Sequence, residues 1–155
     1  LRPGHTSTIR RVEGGMLSYH ADMTAENNPF ELGLDRLVDL DMEADFIGKA
    51  ALRSIQQAGV TQRQVGLILN GAALSGPNTA YWPLRAGDQD VGQITSAVYS
   101  PRLEQNIALA MVANNYSVLG TQLEADLSNE VREVTVVEKP FFDPKKAIAA
   151  STHSA

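Results

Sequence analysis

"VGQITSAVYSPRLEQNIALAMV", residues 91–112, sets two apolar, β-branched runs on either side of a Ser-Pro-Arg break. Each run is short, and turn residues bound it, which is how strands read in a sequence. Working outward, "QVGLIL" (64–69), "TQLEADL" (121–127) and "VREVTVVE" (131–138) join "VGQITSAVY" (91–99) and "IALAMVA" (107–113) as five strand candidates. Asn70-Gly71, Gly76-Pro77 and Ala86-Gly87-Asp88 supply the turn signals between them. Several short strands joined this way predict a small antiparallel barrel or jelly-roll-like module. Tyr81 and Trp82 sit beside Pro83 after a turn, where barrel packing is favoured over a ligand-stacking platform.

Upstream of residues 59–63 the pattern changes. In "DFIGKAALRSIQQAG" the residues Phe46, Ile47, Ala50, Ala51, Ile55 and Ala58 recur three and four apart, predicting an amphipathic helix. Asp45 is its expected N-cap and Gly59 its expected terminator. "GLDRLVDLD" reads as a further strand, and the acidic "LDMEAD" (40–45) as a solvated loop.

Composition narrows the function classes. A chain of 155 residues has enough bulk for a core without staples, and 43% apolar with 20% charged residues is ordinary for a globular protein. With no cysteine, disulfides, thiolate metal sites and a cysteine nucleophile are excluded. The net charge of -5, with basic residues scattered, argues against nucleic-acid binding. No apolar run reaches the ~18 residues a membrane helix needs, so no membrane contact and a cytoplasmic location are the expectations. The first residue is Leu1, and the folded pattern begins at once, as expected of part of a longer polypeptide.

Candidate chemistry is sparse. His5, His20 and His153 are far apart and lack metal-ligand spacing, so no metal is expected. Gly14-Gly15 has no Lys-Ser/Thr after it and is no phosphate cradle, and Ser18 and Ser100 have no local base signature. Glu13 stands out in "RRVEGGMLSYHADMTAENNPFELGLD" (10–35). A carboxylate accepts two parallel N–H donors, such as a guanidinium or the 2-amino/N3–H edge of a pterin. The alternative is a solvated acid paired with Arg11.

These stretches carry a resemblance. "RRVEGGMLSY" is similar to the Arg-x-Glu-x-Gly segment of the folate-dependent aminomethyltransferases, the T-protein of the glycine cleavage system and its relatives. "DFIGKAAL", "QRQVGL", "VGQITSAVYSPRLEQNIALAMV", "LGTQL" and "VVEKPFFDP" resemble further signatures of that family, in the same order. "SYHADMTAENNPFELGL" looks closer to its dimethylsulfoniopropionate demethylase branch.

The resemblance implies an α+β chain. Residues 1–60 would be the C-terminal part of a folate-binding α/β domain, 61–143 the β-barrel and 144–155 a flexible tail. It implies an enzyme, a one-carbon (methyl or aminomethyl) transferase using tetrahydrofolate, of which this is the C-terminal portion. Its partners would be a small-molecule methyl donor or a lipoyl carrier protein, together with the remainder of the same polypeptide. Glu13 takes the position of the glutamate that holds the pterin edge. Tyr19 falls where the family has a tyrosine near the folate, by stacking or by packing. Arg63 matches a basic position used toward the folate tail, although an ordinary strand-start arginine fits as well. His20 stands where the family has glycine. The family's catalytic aspartate belongs to a segment with no match here, so the catalytic residue is unknown. Two alternatives follow from the same resemblance: a folate-binding regulatory protein without transferase activity, or the C-terminal module of a folate-linked dimethylglycine- or sarcosine-type oxidase.

Overall fold

Alternating apolar residues close a sheet on itself when enough short strands follow one another. In the computed structural model, which describes residues 7–145, 147 and 148, six strands do so. They are β1 (Gln62–Leu69), β2 (Trp82–Ala86), β3 (Gln89–Ser100), β4 (Gln105–Ala113), β5 (Gln122–Asp126) and β6 (Val131–Val137). The antiparallel barrel runs β1-β4-β3-β2-β5-β6 and closes β6 onto β1. Its interior holds Leu67, Leu84, Ile94, Ala110, Ala125 and Val134 with their neighbours, all nearly inaccessible to solvent.

All five strand candidates are present, and β2 is an addition. Pro83 lies within it and has no N–H to donate to a ladder. The fold accommodates it because β2 pairs with β5 only through Leu84 and Arg85. β4 is apolar along nearly its whole length because both its faces are covered. Ala108, Ala110 and Val112 face the barrel interior, while Ile107 and Leu109 form a second cluster outside with Val12 and Val98.

That outer cluster seats α1 (Thr8–Glu13), a short helix the sequence pattern did not reveal. α2 (Lys49–Ala58) begins later than expected: Asp45 caps only Phe46 N–H, and the helix starts after Gly48, whose φ is +93°. Its apolar stripe is largely uncovered, with Ile47 fully exposed. Lys49 reaches back to the carbonyls of Met42 and Ala44 and ties the acidic 40–45 loop down.

The strand expected in "GLDRLVDLD" is instead a single 3-10 turn, Asp35–Leu37. Its loose alternation had no neighbouring strand to pair with. The described residues before 61 therefore contribute helices and turns, and a folate-binding α/β domain is not contained in them. Most of residues 144–155, expected to be a tail, lies outside the described residues, as do His5 and His153. No helix among the described residues is long and apolar enough to cross a membrane.

Two bulges interrupt β3. Val91, Ile94 and Ala97 all face the interior although they lie three positions apart, because the pairing shifts register near Leu84/Arg85 and again between Ile94 and Ser96. Gly92 lies at the first shift, where a Cβ would stand 2.1 Å from the carbonyl oxygen of Met111.

Candidate functional site

Successive side chains of a regular strand point to opposite faces. The second bulge cancels that alternation, and Thr95 and Ser96 both turn their hydroxyls onto one carboxylate oxygen, Oδ1 of Asp22, at 2.6 Å each. The other oxygen accepts Arg11 Nη1 at 2.5 Å and the Ser18 N–H at 2.9 Å. Arg11 also donates to Ser96 Oγ and to the Met16 carbonyl. Asp22, whose side chain is wholly buried, thus fastens α1, the 16–23 turn and the barrel wall together. Sequence reading did not select it. The only available signal was an acid in the quoted motif, with nothing local to show that its partners lie on β3.

Glu13, the last residue of α1, is 4% exposed and is not the solvated partner of Arg11. Its Oε1 accepts the Ser100 hydroxyl at 2.6 Å, at the end of β3. Oε2 lies 3.8 Å from Arg102 Nη1, too far for a hydrogen bond, so this oxygen retains acceptor capacity. Arg102 in turn sits 4.1 Å over the Phe142 ring, and Phe142 N–H donates to the Glu13 carbonyl. Gly15 follows with φ +63°, packed against Lys139 and Pro140.

Tyr19 is more than half exposed and stands edge-on to His20, with ring centres 4.3 Å apart. His20 has φ +71°, the left-handed conformation that glycine adopts without strain. The Tyr81 hydroxyl, within 3.0 Å of the carbonyls of His20 and Ala21, holds the turn there. Tyr19, His20, Asn78, Tyr81 and Thr95 line a cleft of about 560 Å³. Trp82, beside it in sequence, packs on the barrel core.

Arg63 belongs elsewhere. It lines a smaller cleft of about 160 Å³ with Phe30, Asp35, Val38 and Ile55, and its guanidinium makes no hydrogen bond or ion pair among the described residues. Glu13, Tyr19 and Arg63 therefore occupy three different surroundings. The next residue on β1, Gln64, accepts a hydrogen bond from Lys139 Nζ through its Oε1. Burial lowers the Lys139 amine from 10.5 to about 8, with the Arg63 charge adding to the fall and Asp22 opposing it. No group of three or more His, Asp or Glu residues is arranged to hold a metal ion among the described residues.

With this geometry in place, comparison with known proteins is decisive for family. Residues 62–143 match the model of the glycine cleavage T-protein C-terminal barrel domain. The chain belongs to the glycine cleavage T-protein family. An aminomethyltransferase of Synechococcus sp. (strain CC9902) is 41% identical over 85% of the chain and 35% of its own length. The dimethylsulfoniopropionate demethylase of Ruegeria pomeroyi is 38% identical over 89% of the chain and 37% of its own length. The crystal structure of glycine cleavage system aminomethyltransferase T from Bartonella henselae superposes with a TM-score of 0.78 at 24% identity, over 88% of this chain and 38% of that one, which shows the shared fold. This T-family chain thus spans about a third of the length of the curated relatives it matches.

Proposed function

We propose that this chain is the C-terminal portion of a tetrahydrofolate-dependent one-carbon transferase, cytoplasmic in setting, that takes a methyl or aminomethyl group from a small-molecule donor or a lipoyl carrier protein. The remainder of the same polypeptide would supply the catalytic acid. What supports the reading is family membership together with the half-used carboxylate of Glu13.

The residues fit the folate edge. Ser100 fills one lone pair of Oε1, and Oε2 has no partner within hydrogen-bonding distance. Each carboxylate oxygen accepts two hydrogen bonds, so two parallel N–H donors can still be met. Tetrahydrofolate, when bound, supplies the N5 nucleophile that receives the one-carbon unit. The protein's own residues orient and shield. Ser100 holds one oxygen of the Glu13 carboxylate, Arg102 adds positive charge beside the other while lying on the Phe142 ring, and the Asp22 bolt keeps α1 at a fixed distance from Tyr19.

The test is Glu13→Gln in the whole protein, with tetrahydrofolate binding measured by calorimetry. One acceptor becomes a donor facing N–H groups, at about 1–3 kcal/mol, so affinity should fall roughly tenfold or more. Unchanged affinity removes Glu13 from the site. Donor assays with sulfonium and aminomethyl compounds then decide between the two transfer types.

A further inference from the structure

A buried carboxylate that is only partly hydrogen-bonded is selective about what completes it, because its free lone pairs are shielded from water. Glu13 is such a group: it is 4% exposed, Oε1 accepts the Ser100 hydroxyl, and Oε2 has no hydrogen bond. The guanidinium of Arg102 stands 3.8 Å from Oε2. That spacing is too long for a hydrogen bond between the two, yet short enough for one ligand to touch both. Arg102 makes no hydrogen bond among the described residues, so its N–H donors remain available to a ligand.

Two tethers hold Arg102 beside Glu13. The Leu103 N–H donates to Ser100 Oγ at 3.1 Å, the same hydroxyl that fixes Glu13, and Pro101 on the other side has its φ locked by its ring. The guanidinium also lies 4.1 Å over the Phe142 ring, while the Phe142 N–H donates to the Glu13 carbonyl at 3.1 Å. Stacking covers one face of the guanidinium and leaves its donors to point outward in its plane. Half the side chain is still exposed, which leaves room for a ligand.

The protein thus presents Oε1, Oε2 and then a guanidinium N–H: acceptor, acceptor, donor. We propose that Arg102 is a specificity-determining residue that donates to the ring carbonyl beside the N–H donors held by Glu13. Together the two residues select a 2-amino-4-oxo pyrimidine edge. In a pterin that edge is the 2-amino group, N3–H and C4=O, in matching order. The inference rests on the folate reading for its ligand and adds to it one ligand atom and the residue that recognises it. Guanine carries the same three-group edge, so a guanine nucleoside is the other possible source of this chemistry.

The experiment is calorimetric titration of the whole protein with 6-methyltetrahydropterin and with its 4-thioxo analogue. The analogue keeps both N–H donors and replaces the carbonyl oxygen by sulfur, a weak acceptor. A hydrogen bond from a charged donor should make the wild-type protein bind the oxo compound about tenfold more tightly, and Arg102→Met should bring that ratio to about one. Arg102→Lys, which keeps a cationic donor, should restore part of the preference, as a merely structural role for Arg102 would not. Equal affinities in the wild type overturn the proposal without any variant having to fold, and a ratio unchanged in Arg102→Met overturns it too. Glu13→Gln should weaken both compounds alike, since it faces groups they share. Pterin binding that needs Glu13 but ignores the 4-oxo group therefore keeps the folate reading and removes Arg102 from it. Guanosine is the third ligand. If it binds and loses affinity about tenfold in Arg102→Met while neither pterin binds, the edge recognition stands and the folate reading falls. Binding of none of the three overturns both.

Discussion

Replacing Asp22 by asparagine keeps the side chain's shape and removes its charge, so it isolates what the buried carboxylate does. In the native chain four donors converge on it: Arg11, the Ser18 N–H, Thr95 and Ser96. An amide offers one oxygen with two lone pairs, and its nitrogen would face donors on the other side. At least two hydrogen bonds to a charged acceptor are lost, each worth about 1.5 kcal/mol or more, giving a loss of about 3 kcal/mol. The independent expectation for breaking a buried ion pair by removing one partner is about 3–5 kcal/mol. Arg11 is slightly exposed and recovers some water, which favours the lower end. Urea unfolding followed through Trp82, the only tryptophan of the 155 residues, reads this directly. With a slope of about 2 kcal/mol/M the midpoint should drop by about 1.5 M. In a double-mutant cycle with Arg11→Met, the second substitution should cost much less in the Asp22→Asn background. A loss under about 1 kcal/mol, or strict additivity in the cycle, would refute the view that this carboxylate fastens the turn to the barrel.

The pH dependence of stability offers a second check. Lys139 titrates near 8 when folded against 10.5 ordinarily, so the unfolded chain holds more protons between these values. Stability should therefore rise from about pH 8 to about pH 10.5, by up to about 3 kcal/mol, and Lys139→Met should lose that rise when urea midpoints are compared at both ends. His20→Gly removes a left-handed strain of about 1–2 kcal/mol at a backbone entropy cost of about 0.5–1 kcal/mol. A net gain of about 0.5–1 kcal/mol in urea unfolding is expected, and a loss would mean the His20–Tyr19 ring contact outweighs the strain. Gly92→Ala forces a Cβ to 2.1 Å from a β4 backbone oxygen and should cost at least about 3 kcal/mol or abolish the folded signal in circular dichroism.

The barrel was legible in the sequence because its information is local. β-branched runs between turn residues appear as strands wherever they stand, and five of six were found that way. β2 escaped because Pro83 is a strand-breaker unless its missing N–H faces no partner, a condition set by how little of β2 pairs with β5. α2 was visible through its three-four spacing, but that spacing could not show that its stripe stays largely uncovered, since periodicity reveals a face and not what packs against it. α1 is too short for a periodic signal, and its place depends on Val12 meeting Val98, Ile107 and Leu109.

The candidate site divides the same way. A motif match marked Glu13, Tyr19 and Arg63 by residue type, and tertiary structure alone decided their surroundings. Glu13 meets Ser100 across 87 positions of chain, and Asp22 meets Thr95 and Ser96 across 73 and 74. Contacts of that span leave no periodic trace, because loop closure lets any two segments meet and only the bulge in β3 aims both hydroxyls at one acid. Local pattern in the sequence was enough for five of the six strands and for the family they belong to. The folded barrel decided which acids are buried, which of their oxygens stay open and where charge accumulates, because those depend on what lies opposite in space.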